Sequence, residues 1–315
     1  MTATVTERPP LAEDDLADLP VVPARHPWRL VAGVLALVVV AQFLHGLATN
    51  PGWDWATFRA FVTADTILRS VGVTLQLTLY GTVLGFALGA VVALLRLSPS
   101  RILQTIAWAY VWAFRSIPLI VQLVFWFNLS YLYKEFGFGI PFGPTVVSFE
   151  TMDLLGALGA AVLGLALHQA AYAAEIIRAG VISVEAGQLE AAAALGIPRA
   201  RQLRRIVLPQ AMRAILPNAG NEVISLFKGS SIVYVMAIGE LFYQVQVVYG
   251  RTGRVVPLLM VATVWYVVLT TLLSIGQYYL ERHFARGADR TPPPTPWQQL
   301  RSRLRQIPVA AGGRT

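Results

Sequence analysis

The sequence predicts an all-α, polytopic membrane protein with six transmembrane helices. Three observations carry that expectation. Of 315 residues, 56% are hydrophobic and only 13% are charged, with a mean hydropathy of +0.58, whereas a soluble domain carries about 25% charged residues. The apolar residues fall in runs long enough to cross a hydrocarbon core of about 30 Å at roughly 1.5 Å per residue. Lys and Arg crowd onto alternate flanks of those runs, the asymmetry that orients membrane proteins. Cysteine is absent, which removes disulfides, thiol nucleophiles and thiolate metal sites. The net charge of +8 does not indicate nucleic acid, because the arginines sit at the ends of apolar runs rather than on one basic surface.

The elements follow in order. Residues 1–29 hold Glu7, Glu13, Asp14, Asp15 and Asp18; they are too acidic for a signal peptide and read as a disordered cytoplasmic arm. Residues 30–48 carry no formal charge and read as an uncleaved transmembrane helix, followed by an extracytoplasmic linker over 49–69. Residues 70–95 form a long, Gly-rich, uncharged span. Residues 102–133 form a span interrupted by Arg115 and kinked at Pro118. The span over 154–174 is rich in small residues. The one over 211–239 is interrupted by Arg213, Glu222 and Lys228, and the last, 255–280, is clean. Residues 285–315 form a Pro- and Arg-rich cytoplasmic tail with Pro292, Pro293 and Pro294, disordered apart from a short basic helix on anionic lipid. The flanks at 1–29, 96–101, 178–213 and 282–314 hold most of the arginines. The opposite flanks hold only Arg59, Arg69, Lys134, Arg251 and Arg254. Both termini and the loop over 185–209 are therefore expected in the cytoplasm.

That loop reads EAAAALGIPRARQLRRIVLP from Glu190 to Pro209. Residues 188–195 have high helix propensity. Gly196 stands where a helix needs a left-handed terminal residue, and Pro198 cannot continue the helix. A second short helix is expected over 199–208, carrying Arg199, Arg201, Arg204 and Arg205. Helix, fixed bend and helix make a rigid lever; the plainer reading is a basic loop beside acidic headgroups.

Ionisable residues inside membrane spans are costly and point to function. Lys228, beside Gly229, Ser230 and Ser231, is placed to hold a carboxylate, or else to pair with Glu222 six residues earlier. Asn221 belongs to the same polar stretch. Arg115 lies deep in its span, lining an aqueous path or held in a structural pair, with Gln122 seven residues on along the same face. Glu175 and Arg178, three apart, pair as an anchor on one helix face. His168 suits a helix–helix hydrogen bond. The histidines are scattered, without metal-ligand spacing.

Glu190-Ala191-Ala192, three residues, Gly196, nine residues and then Ile206, Leu208 and Pro209 resemble the cytoplasmic EAA loop of membrane subunits from bacterial ABC importers. Further segments are similar to the polar amino-acid uptake branch: Phe114 to Leu123 (FRSIPLIVQL), Ala171 to Gly180, Gly220 to Lys228 with Ser230 to Val233 following, and Gln277 to Arg282. The resemblance implies a five-helix type I importer core over 70–284, with the helix at 30–48 added. It implies ATPase coupling through Glu190, Ala191, Ala192, Gly196 and Pro209. It implies a substrate path drawn from Arg115, Gln122, Asn221, Glu222, Lys228, Ser230 and Ser231. The implied partners are two ATP-binding subunits that use ATP and Mg, a second membrane subunit (identical or paralogous), an extracytoplasmic binding protein, membrane lipid and a polar amino-acid substrate. The implied place is the bacterial cytoplasmic membrane. The chain has no Walker motif, so no cofactor is expected on it and hydrolysis is assigned to a partner. Ser116-Ile117 departs from the branch's Gly-Thr. Gly229 stands where many members carry Asp or Ser, which argues against a strongly cationic substrate. The alternatives are an ion-gradient-driven secondary transporter or channel, and a membrane enzyme, for which no nucleophile with a base is present.

Overall fold

The computed structural model describes residues 27–140 and 145–284, together with 298, 301 and 302. The arm over 1–26 and nearly all of the tail lie outside the described residues. The chain divides into two units, Met1–Trp53 and Asp54–Thr315. The first contains α1 (Pro27–Thr49), apolar all round, and a short 3₁₀ turn at Pro51–Trp53.

In the second unit, the expected linker is itself helical. Asp54 opens α2 (Trp55–Val62) from a left-handed conformation, φ 43°. Its carboxylate accepts from the Thr57 N–H at 3.2 Å, the Thr57 hydroxyl at 2.7 Å and Arg254 Nη1 at 2.7 Å. The Thr57 hydrogen bonds, with Arg254 adding its charge, hold this carboxyl below its ordinary value. A carboxyl so lowered stabilises the fold above about pH 4, and the contribution is lost as pH falls through the lowered value. Asp54→Asn is therefore expected to lower the melting temperature at pH 7, and by progressively less as pH falls through the lowered value. Parallel melting curves across pH check this, and an unchanged melting temperature at pH 7 would contradict it.

α3 (Asp65–Arg96) and α6 (Ala157–Ile182) form the central pair. Lipid tails are as apolar as leucine, so helices in a membrane associate by close packing rather than by burial from water. Gly81, Gly85 and Gly89 recur every four residues on α3 and provide that closeness. A β-carbon at Gly85 would lie 2.5 Å from the Gln169 β-carbon, and one at Gly89 2.6 Å from that of Ala173 and 2.9 Å from the Ala170 carbonyl. Three hydroxyls of α3 bond back to their own helix: Ser70 to the Ile67 carbonyl, Thr74 to Ser70 and Thr78 to Thr74.

The span expected over 102–133 is two helices. α4 (Arg101–Ser116) and α5 (Leu119–Phe127) meet at 103° across Ile117 and Pro118. Proline lacks the N–H that would continue α4, and the preceding residue is pushed to extended backbone. A two-stranded antiparallel hairpin, β1 (Glu135–Gly139) and β2 (Thr145–Glu150), follows α5; the sequence reading contained no strand. Phe136 faces Phe149 and Glu135 faces Glu150 in register.

α7 (Ala186–Ala194) belongs to the loop. The second short helix expected over 199–208 is instead the start of the next span. A turn at Arg199–Gln202 runs through a π-helical stretch, Leu203–Val207, into α8 (Leu208–Gly229). Pro209 is the second residue of α8 and directly follows the π-helical stretch. A 3₁₀ segment, Ser230–Met236, leads to α9 (Leu241–Thr252), bent by 47° from the preceding stretch, and then to α10 (Val255–Phe284). The buried Glu240 carboxylate caps α9, accepting from the N–H groups of Phe242 at 2.9 Å and Tyr243 at 2.6 Å. The Trp265 indole donates to the Val62 carbonyl at 2.8 Å and ties α10 to α2. Among the described residues four helices, α1, α3, α6 and α10, are long and apolar enough to cross a membrane, or up to six if each bent pair is one span. The fold is that of an all-α polytopic membrane protein.

Candidate coupling loop and substrate path

The loop is built as a stiff projection. α7 ends in a Schellman arrangement: the Ile197 N–H reaches the Ala192 carbonyl at 3.0 Å and the Gly196 N–H the Ala193 carbonyl at 2.9 Å. This requires a left-handed residue at position 196, and Gly196 has φ 67°. The base is pinned on both sides. Gln210 Nε2 donates to Gln188 Oε1 at 2.6 Å, and Gln202 Nε2 to the Ile197 carbonyl at 2.7 Å. Val184, Val207, Ala211 and Ile215 form a cluster against Leu189 and α6. Gly180 admits the crossing of α8, since a β-carbon there would lie 2.3 Å from Ile215 Cγ1. Of the expected coupling residues, Ala192 is buried in the base, while Glu190, Ala191, Gly196 and Pro209 are exposed. Leu195, which the sequence reading passed over, is 79% exposed at the bend. Its place, one residue before the glycine, is the signal that marks it.

Behind the loop, Glu175 accepts from Arg178 Nη2 at 2.7 Å, as its spacing predicts, and also from Arg96 Nε at 3.3 Å. The second bond ties the end of α3 to α6 and was not legible from spacing.

The polar residues of the spans divide into two groups. Arg115, Asn221 and Glu222 line a cavity of about 470 Å³ together with Tyr172, Glu175 and Asn218. The Arg115 guanidinium carbon stands 5.1 Å from the centroid of the Tyr172 ring. A second cavity of about 380 Å³ shares Arg115, Tyr172 and Glu175 and adds Arg96, Trp108 and Trp112. Such a lining offers a guanidinium, carboxylates, amides and an aromatic face to a small zwitterion.

The other expected path residues sit elsewhere. Gln122 is not on one face with Arg115, because the 103° bend separates them. It is 4% exposed, and its amide nitrogen donates to the carbonyls of Phe114 at 2.8 Å and Ile117 at 2.7 Å, the groups left open by Pro118. It also lies 3.2 Å from His168 Nδ1, in keeping with the helix–helix bond expected of that histidine. Ser230 is fully buried and donates to the Phe227 carbonyl at 2.7 Å, and Ser231 donates to the Lys228 carbonyl at 2.8 Å. Lys228 is exposed rather than buried, is not in the lining of either cavity, and makes no ion pair with Glu222. Gly229 faces Leu119. Asn221 Oδ1 accepts from Gln277 Nε2 at 3.1 Å. Among the described residues no group of acids and histidines has the arrangement of a metal site.

Residues 81–286 match the family of binding-protein-dependent transport system inner membrane components. An arginine transport system permease protein of Corynebacterium glutamicum is 40% identical over 280 residues, covering 85% of this chain and 84% of that protein. A nopaline transport system permease protein of Agrobacterium fabrum is 35% identical, covering 72% of this chain and 92% of that protein. A crystal structure of an amino acid ABC transporter with histidines superposes with a TM-score of 0.58 at 32% identity, covering 69% of this chain and 94% of that one. The chain therefore belongs to the binding-protein-dependent transport system inner membrane components, as an amino-acid ABC importer permease.

Proposed function

We propose that this chain couples ATP hydrolysis in two separate ATP-binding subunits to the inward movement of a polar amino acid. A second membrane subunit completes the path, and an extracytoplasmic binding protein delivers the substrate. The observation that carries this reading is the pinned loop, with a fixed left-handed bend and an exposed tip formed by Glu190, Ala191 and Leu195. A rigid projection transmits displacement, and closing the ATPase pair against it rocks the attached helices α6 and α8 between inward- and outward-facing arrangements. The arginine-rich flanks support placing the loop, and both termini, in the cytoplasm. The cavity around Arg115, Tyr172 and Glu222 serves as the substrate path on the loop side. Lys228, exposed on this chain, is then a residue facing the second membrane subunit or the path between them. For the substrate, the absent acid at Gly229 argued against a strong cation. The similarity to an arginine permease and the carboxylate of Glu222 in the cavity outweigh it, and a cationic amino acid is included.

The test is affinity purification of the tagged chain from native membranes, beside Glu190→Arg, with mass spectrometry of what accompanies each. Wild type is expected to retain an ATPase subunit, and the variant to lose it by tenfold or more, about 1.4 kcal/mol. Glu190 is exposed and is in no ion pair among the described residues, so the change reads docking rather than folding. Should wild type retain no ATPase under conditions that preserve membrane complexes, the coupling reading fails and uptake driven by an ion gradient takes its place.

A further inference from the structure

We propose that the pocket between the start of α8 and the end of α10 binds the headgroup of an anionic phospholipid in the leaflet on the coupling-loop side. The pocket has a volume of about 390 Å³ and is lined by Leu208, Pro209, Met212, Arg213, His283 and Phe284. Its floor is fixed one to two turns deeper. There Gln277 Nε2 donates to the Pro217 carbonyl at 3.1 Å, Asn221 Oδ1 at 3.1 Å and Glu281 Oε1 at 2.7 Å, which holds α10 against α8.

Two features define the ligand. The first is charge. Arg213 and His283 come from different helices, are both exposed, and neither is in an ion pair among the described residues. The nearest acid in sequence, Glu281, is engaged by Gln277, and Arg282 follows it. Arg204 and Arg205 lie exposed about one turn before Leu208. The second feature is the apolar rim. Leu208 is 48% and Phe284 37% exposed, surface that a free anion would leave in water and an acyl chain would cover. The depth is that of a membrane boundary. The apolar run of α10 ends at Leu280, and Tyr279, 64% exposed and one turn before His283, stands at an aromatic-belt position. Basic pockets between spanning helices at this level suit phosphate headgroups.

The purified complex, in detergent with equal phosphatidylglycerol and phosphatidylcholine, tests this by native mass spectrometry. Wild type is expected to retain phosphatidylglycerol over phosphatidylcholine, with excess inorganic phosphate failing to displace it. Arg213→Gln lowers that retention about fivefold, the effect of roughly 1 kcal/mol for an arginine at such a surface, and adding His283→Gln, which removes a ring N–H donor, lowers it further. The double variant Arg213→Lys/His283→Lys restores it, which separates lost charge from lost fold. Equal retention of both lipids by wild type, or unchanged phosphatidylglycerol on Arg213→Gln/His283→Gln, overturns the site. Displacement by inorganic phosphate makes it a small-anion site. Loss of the ATPase from the double Gln variant, with phosphatidylglycerol kept, gives the pocket to the ATPase instead.

Discussion

Replacing Gly89 with alanine is expected to lower the melting temperature of the purified protein, while the same replacement at Gly72, on the same helix, leaves it unchanged or raises it. Alanine is favoured over glycine in a helix interior by about 1 kcal/mol, and nothing lies within 4 Å of a β-carbon at Gly72. At Gly89 the added carbon would stand 2.6 Å from the Ala173 β-carbon, 2.9 Å from the Ala170 carbonyl oxygen and 3.1 Å from the Ala174 nitrogen. Two of those three are backbone atoms, which no rotamer change removes. α3 and α6 must separate, and overpacking of this kind costs about 1–3 kcal/mol. The cost is spread along a central pair whose attraction depends on close contact. Gly89→Leu, with a larger side chain, is expected to prevent accumulation of folded protein in the membrane. Thermal unfolding in detergent and membrane yield measure the two effects. If Gly89→Ala and Gly72→Ala shift the melting temperature in the same direction, the glycine contact between α3 and α6 is not what holds the pair.

The second large effect is expected at Gly196, and it is on coupling rather than on folding. A β-carbon there would meet nothing within 4 Å, yet φ is 67°. The penalty is therefore conformational: about 1–2 kcal/mol for an ordinary residue forced left-handed, more for a β-branched one, and least for asparagine. The chain escapes that penalty by re-aiming the end of α7, which breaks the Ile197–Ala192 and Gly196–Ala193 hydrogen bonds and moves Leu195 and Glu190. Uptake is expected to fall in the order Gly, Asn, Ala, Val, by about tenfold or more for Gly196→Val, while ATP hydrolysis by the assembled complex continues. Reconstituted vesicles report both rates together. Normal uptake by Gly196→Val would remove the bend from the coupling mechanism. Loss of the protein from the membrane would make the residue structural instead.

The loop over 185–209 was the most legible part of the chain because its determinants are local. A run of alanines, a glycine that ends it and a proline that forbids continuation act within a few residues, and the structure places the cap at Gly196, the expected position. The apolar runs were legible for a similar reason, since span length follows from hydrocarbon thickness. The Glu175–Arg178 pair follows from helical spacing alone.

Inferences that needed a straight helix did not carry over to the structure. Arg115 and Gln122 share a face only if their helix continues, and Pro118 turns it through 103°, so Gln122 is spent on the carbonyls that the bend exposes. Ser230 and Ser231 looked like ligand groups, but a 3₁₀ segment turns both hydroxyls onto carbonyls three residues back. Tyr172 and Glu222 meet in one cavity through the crossing of α6 and α8, which no spacing along the chain encodes.

The sequence by itself thus determined the membrane class, the number of apolar runs and the form of the loop over 185–209, because hydropathy, propensity and capping act over a few residues. Only the tertiary structure decided which polar side chains face a shared cavity and which satisfy broken backbone, because in a hydrocarbon medium each freed carbonyl must find a donor nearby, and helix crossings choose that donor.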